Sequence, residues 1–176
     1  MHKLILLSSL NEATAPVNPR EYALRDVNRR LREIIGSDPV YTDRKLTGPT
    51  LHFQRTRYIP GLVENLERYG LRDNPWLPSD AYFYGSPALN ELIAQACGLV
   101  HHVQIREIYP GTAFTPCLTR FVERYHSVHF DPEGFEYEYS ELVPAPQTTP
   151  ARTRLNKQTT DQTAPEASAH LTQTKF

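Results

Sequence analysis

The sequence is short of the features that would name a chemistry outright. Cysteine is scarce: Cys97 and Cys117 are the two in 176 residues, too few for a disulfide framework. Both fall at apolar positions of expected helices and read as buried free thiols, which fits a reducing, cytoplasmic setting. Long apolar runs are missing. The amino-terminal "MHKLILLSSLNEA" holds a run of four, Leu4 to Leu7, far short of a signal-peptide core or a membrane span, so a membrane is not an expected partner. A surplus of one charge is missing too. The net charge is −1, and residues 1–143 carry 15 Lys/Arg against 18 Asp/Glu. A dedicated nucleic-acid binder shows a strongly basic domain, so nucleic acid is not an expected partner either. Neither G-x-G-x-x-G nor G-x-x-x-x-G-K-[ST] occurs, which excludes the standard dinucleotide fingerprint and the P-loop. No cofactor and no metal are expected, and no internal repeat is visible.

What is present divides at about residue 143. From Pro144 the chain reads "PAPQTTPARTRLNKQTTDQTAPEASAHLTQTKF", dominated by Thr, Gln, Pro and Ala, with one aromatic, Phe176. Such a segment buries too little apolar surface to offset its ordering entropy, so residues 144–176 are expected to be a disordered tail. Residues 1–143 are long enough for one core with both faces of a sheet covered.

Within them, the continuous run Leu4–Leu7 suits a strand buried on both faces. Asn18-Pro19 gives an N-cap and first-turn proline for a helix over 19–35, with Leu24, Val27, Leu31 and Ile34 on one stripe and Arg25, Arg29 and Arg32 opposite. Glu21–Arg25 and Asp26–Arg30 make favourable i,i+4 pairs. A polar strand follows at 50–57, a helix at 60–69 stopped at Gly70-Leu71, and a short strand at 81–84. Ser86-Pro87 then caps a helix ending at Gly98. A strand over 99–109 comes next. Thr115-Pro116 starts a further helix with Leu118, Phe121, Val122 and Tyr125 inward. Residues 135–143 close as an alternating edge strand. This β-α order predicts a single three-layer α/β domain: a mainly parallel, Rossmann-like sheet of about five strands with helices on both faces.

In such sheets ligands bind beyond the carboxyl ends of the strands. Three loops qualify. The first carries Ser8, Ser9, Asn11 and Glu12; the second Gly85 and Ser86; the third Gly111 and Thr112. Each precedes a helix N-terminus, where free N–H groups favour an anion.

The stretch "GSPALNE", 85–91, places Ser86 at a helix cap and Glu91 one and a half turns on. With "AQACGLVHHVQI", 94–105, and "LILLSSLNEA", it resembles the nucleoside 2-deoxyribosyltransferase-like group, where a strand leads into D-S-G-T-x-x-E. Gly85, Pro87 and Ala88 stand where that motif has Asp, Gly and Thr. The resemblance implies an enzyme acting at the N-glycosidic bond of a small-molecule nucleoside or nucleotide, as hydrolase or transferase, with Glu91 as covalent nucleophile. Asn11 or Glu12 would hold the sugar, and Arg25 or Arg29 a 5′-phosphate. The alternative is a non-catalytic binding or interaction module using the domain surface and the tail. Homo-oligomerisation is left open. Two lesser constellations are His126, His129, Asp131 and His102 as a metal site, and Glu136-Tyr137-Glu138 as the E-x-E of ADP-ribosyltransferases.

Overall fold

The computed structural model describes residues 1–9, 25–46, 51–105, 116–130 and 136–147. The predicted tail, apart from its first four residues, and the candidate residues Asn11, Glu12, Gly111, Thr112 and Asp131 lie outside them.

The chain is α/β. Among the described residues the order is β1 (Lys3–Ser9), α1 (Arg25–Ile35), β2 (Val40–Thr42), β3 (Thr56–Tyr58), α2 (Leu62–Tyr69), β4 (Tyr82–Phe83), α3 (Pro87–Ala96), β5 (Leu99–Ile105), β6 (Phe121–Phe130) and β7 (Glu136–Pro144). The strands form one sheet in the order β3-β2-β4-β1-β5-β7-β6. β3, β2, β4, β1 and β5 run parallel, while β7 and β6 are antiparallel additions.

β1 sits at the centre because its sequence can satisfy two faces at once. Ile5 and Leu7 pack with Val27, Leu31 and Ile35 of α1; Leu4 and Leu6 pack with Leu62 and Leu66 of α2 and Leu89 and Ile93 of α3. Fully burying each such side chain contributes about 1.5–3 kcal/mol. β4 alternates in the same way, Tyr82 to the α1 face and Phe83 to the other. Gly70 ends α2 at φ 74°, a left-handed conformation that glycine adopts without a Cβ penalty, and the following Leu71 is buried. Ser86 caps α3, accepting from the Leu89 N–H at 3.2 Å, with Pro87 in the first turn.

Several expectations are corrected. β2 carries no predicted counterpart, because its three residues are too few to show a period. The polar strand of 50–57 is reduced to β3. The α1 stripe is rotated: Ile35 is buried in place of Ile34, which is exposed, and Asp26 pairs with Arg29 rather than Arg30. The helix expected after Pro116 is β6. Leu118, Phe121, Val122 and Tyr125 do carry helical spacing, but ladder pairing with β7 decides the conformation. β7 is interior, between β5 and β6, and β6 is the edge. Cys97 is buried as expected, whereas Cys117 is exposed.

Candidate functional site

The connections locate the site. β1 crosses through α1 to β2, two places to one side, with α1 on one face. β4 crosses through α3 to β5, two places to the other side, with α3 on the opposite face. The loops leaving the neighbouring strands β4 and β1 therefore turn to opposite faces of the sheet, and a crevice opens beyond the carboxyl ends of such strands.

On the β4 side, the loops after β2 and β4 meet. Asp43 follows β2, and its Oδ1 accepts from the Ser86 N–H at 2.9 Å, while its Oδ2 accepts from the Ser86 hydroxyl. Gly85 makes this approach possible. A Cβ there would lie deep inside contact distance of Asp43 Oδ1 and 2.7 Å from Leu89 Cδ2. Thr42, buried, holds its own turn by donating to the Arg44 carbonyl at 3.2 Å.

On the other side of β1, α1 places Asp26 in its first turn. The carboxylate turns inward and accepts from Tyr137 Oη on β7 and from Arg29. Burial works to raise the Asp26 carboxyl. The hydrogen bonds from Tyr137 and Arg29, with the charges of Arg29 and Arg30, outweigh it and hold the group below its ordinary value. Burial and the Asp26 hydrogen bond push the Tyr137 hydroxyl up to about 12. Arg30 donates to Tyr137 Oη at 3.4 Å and lies 3.0 Å from His129 Nδ1. Tyr137 pairs in register with Ile105, the last residue of β5, so Asp26 stands at the same rim as Asp43, beyond β1.

Beneath the rim lies a second polar layer. Ser8 Oγ and His102 Nε2 are 2.6 Å apart and both buried. Burial pulls the His102 pKa down to about 4, against the opposing charge of Glu138, so the ring is neutral at pH 7. Ser8, a predicted ligand group, is thus committed to the interior. Gly85 and Ser86 do reach the rim, with Ser86 engaged by Asp43. Ser9 ends β1 opposite Ile105. Glu91 is half-buried in the second turn of α3, and its charge acts on Cys117. Among the described residues the fold brings the carboxylates of Asp26 and Asp43 to the rim, and neither stands out as a site residue in the sequence. Asp26 reads in sequence as one half of a surface ion pair, and Asp43 lies after a strand too short to see.

The other constellations separate. His126 bonds Glu138 at 3.1 Å, on the face of Ser140 and Leu142. His129 stacks on Tyr137 at 5.1 Å on the α1 face. The two imidazoles lie on opposite sides of the sheet, because three residues along a strand reverse the face. Among the described residues no group of three His, Cys, Asp or Glu side chains is placed to hold a metal, and no helix is long and apolar enough to cross a membrane.

No protein-family model matches the chain, and no curated protein does. Among solved structures it is similar to the dihydrofolate reductase from Enterococcus faecalis complexed with NADP(H) and RAB-propyl, at 12% identity and a TM-score of 0.54, over 82% of this chain and 96% of that one. The chain shares the fold of that reductase. This corrects the expected activity at an N-glycosidic bond: the architecture found is that of a reductase complexed with NADP(H), not of a glycosidase or deoxyribosyltransferase. The nucleophilic role of Glu91 is tied to that activity and is withdrawn with it.

Proposed function

We propose that this chain is a small-molecule-binding protein of the reductase type, holding a nitrogen heterocycle at the carboxyl rim of its sheet. The observation that carries the reading is Asp26. Its carboxylate is drawn under α1, is held ionised by Tyr137 and Arg29, and keeps 18% of its side chain exposed. A carboxylate has about four acceptor positions, so two remain for a ligand. A fixed anion of this kind suits a ligand edge bearing two N–H donors, as in an amidine or a protonated aminopyrimidine. The enterococcal neighbour of the same fold is complexed with small molecules, which supports a small-molecule ligand.

That neighbour is complexed with NADP(H). The residues here do not fit a dinucleotide as they stand, since the Asp43 carboxylate already takes the Ser86 N–H and hydroxyl.

Calorimetric titration with 2,4-diaminopyrimidine tests the reading. Binding is expected in the wild type and weakened by about 10- to 100-fold in Asp26→Asn, the worth of one or two charge-assisted hydrogen bonds. Equal affinity in both proteins, or no binding to the wild type, would overturn it.

A further inference from the structure

We infer that Asp43 is the residue that decides which ligands the rim accepts, by holding from within the protein the position that a ligand phosphate would take. The inference rests on the reading above only in placing the ligand at this rim. Two independent features of the structure carry it.

The first is how the carboxylate is seated. Asp43 comes from the loop after β2, 43 residues away in sequence, and reaches Ser86 with both oxygens: Oδ1 on the N–H at 2.9 Å, Oδ2 on the hydroxyl. Few other donors remain there. Pro87 has no N–H, and the Leu89 N–H is already held by Ser86 Oγ at 3.2 Å. Beyond the Ala88 N–H, an anion arriving from solvent needs the donors that Asp43 holds, and it meets a negative charge in taking them.

The second is the floor beneath it. At Gly85 a Cβ would collide with Asp43 Oδ1 and with Leu89 Cδ2. The close backbone approach that glycine allows is taken up by the chain's own carboxylate. The anion-favouring position of the fold is thus neutralised internally. The half-buried Asp43 can be displaced only by a ligand that pays for separating it from Ser86. A ligand that is neutral or cationic at this point meets no such competition.

The test compares the wild type with Asp43→Asn and Asp43→Ser, titrated separately with inorganic pyrophosphate, NADPH and 2,4-diaminopyrimidine. Pyrophosphate and NADPH are expected to bind at least tenfold more tightly to both variants, with diaminopyrimidine affinity unchanged. Adding Ser86→Ala to Asp43→Asn should abolish the gain. Equal pyrophosphate affinity in wild type and variants, or a gain that survives Ser86→Ala, would overturn the inference. Should one variant fail to fold, the other gives the same comparison. The two readings fail separately. A pyrophosphate gain with no diaminopyrimidine binding in any protein sinks the proposed function and keeps the role of Asp43. Diaminopyrimidine binding with no pyrophosphate gain does the reverse.

Discussion

The parallel centre and the antiparallel margin of this sheet are built on opposite terms. In β1, Leu4, Ile5 and Leu6 are 0% exposed, and Phe83 and Val100 beside them are as deeply buried. In β6, Val122, Tyr125 and Val128 are about half exposed, and Phe130 is 67% exposed. The centre is covered by helices on both faces, so each residue gains apolar burial. The margin is held through its ladder to β7 and through side-chain pairs such as Arg124 with Glu141 at 2.6 Å. A surface pair of that kind contributes about 0–1 kcal/mol. Of the rim carboxylates, Asp43 is tied within the parallel half, to the Ser86 cap of α3, whereas Asp26 joins α1 to β7 of the margin. Stability should therefore reside in the centre, while the margin tolerates change.

The sharpest way to break that comparison is Leu6→Ala, expected to lose about 2–5 kcal/mol in urea unfolding because the cavity lies under two helices. A loss below about 1 kcal/mol would mean the centre is not the stabilising half. Acid comes next. Burial lowers the pKa of both His101 and His102 from 6.5 to about 4. Between those values the unfolded chain binds more protons than the folded one, so stability falls as pH drops from about 6.5 to 4 and levels off below. The two rings together should cost a few kcal/mol. His102→Gln should flatten the pH dependence of the melting temperature across that window; an unchanged slope would place the ring in water.

Gly85→Ala follows, at about 1–3 kcal/mol from overpacking against Asp43 and Leu89, and the loss should shrink when Asp43→Gly is added. Additive losses in thermal melts would show that the two residues do not meet. Tyr137→Phe removes one donor from Asp26 and should cost about 1 kcal/mol at neutral pH. The Asp26 pKa lies below its unfolded value, so its bonds contribute stability above the unfolded carboxylate pKa. That contribution is lost as pH falls through the folded one. The mutant should converge with the wild type in strong acid, and carboxyl NMR titration should show the Asp26 pKa rising. Val128→Ala, on the margin, should stay within about 0.5 kcal/mol.

The buried His101 shows how far the margin reaches inward. Tyr139 gives its single proton to Glu141 Oε1 at 3.1 Å, so it accepts from His101 Nδ1–H at 2.9 Å. Nε2 is then a buried lone pair with no donor among the described residues. Tertiary pairing set this arrangement; nothing in "LVHHVQI" separates His101 from His102, yet they face opposite sides of the sheet with different partners.

The sequence by itself determined the class of fold, the central strand, the Ser86 cap with Pro87, and the layering of helices on both faces. Those features depend on residues within one turn or one strand of each other, where apolar period and capping chemistry act locally. Only the tertiary structure decided that 121–130 is a strand, that β7 is interior, and that Asp26 and Asp43 flank a common rim. An edge strand with one partner shows no clean burial period. A carboxylate's role depends on which distant donor the topology brings to it: Tyr137 lies 111 residues from Asp26, and Ser86 43 from Asp43.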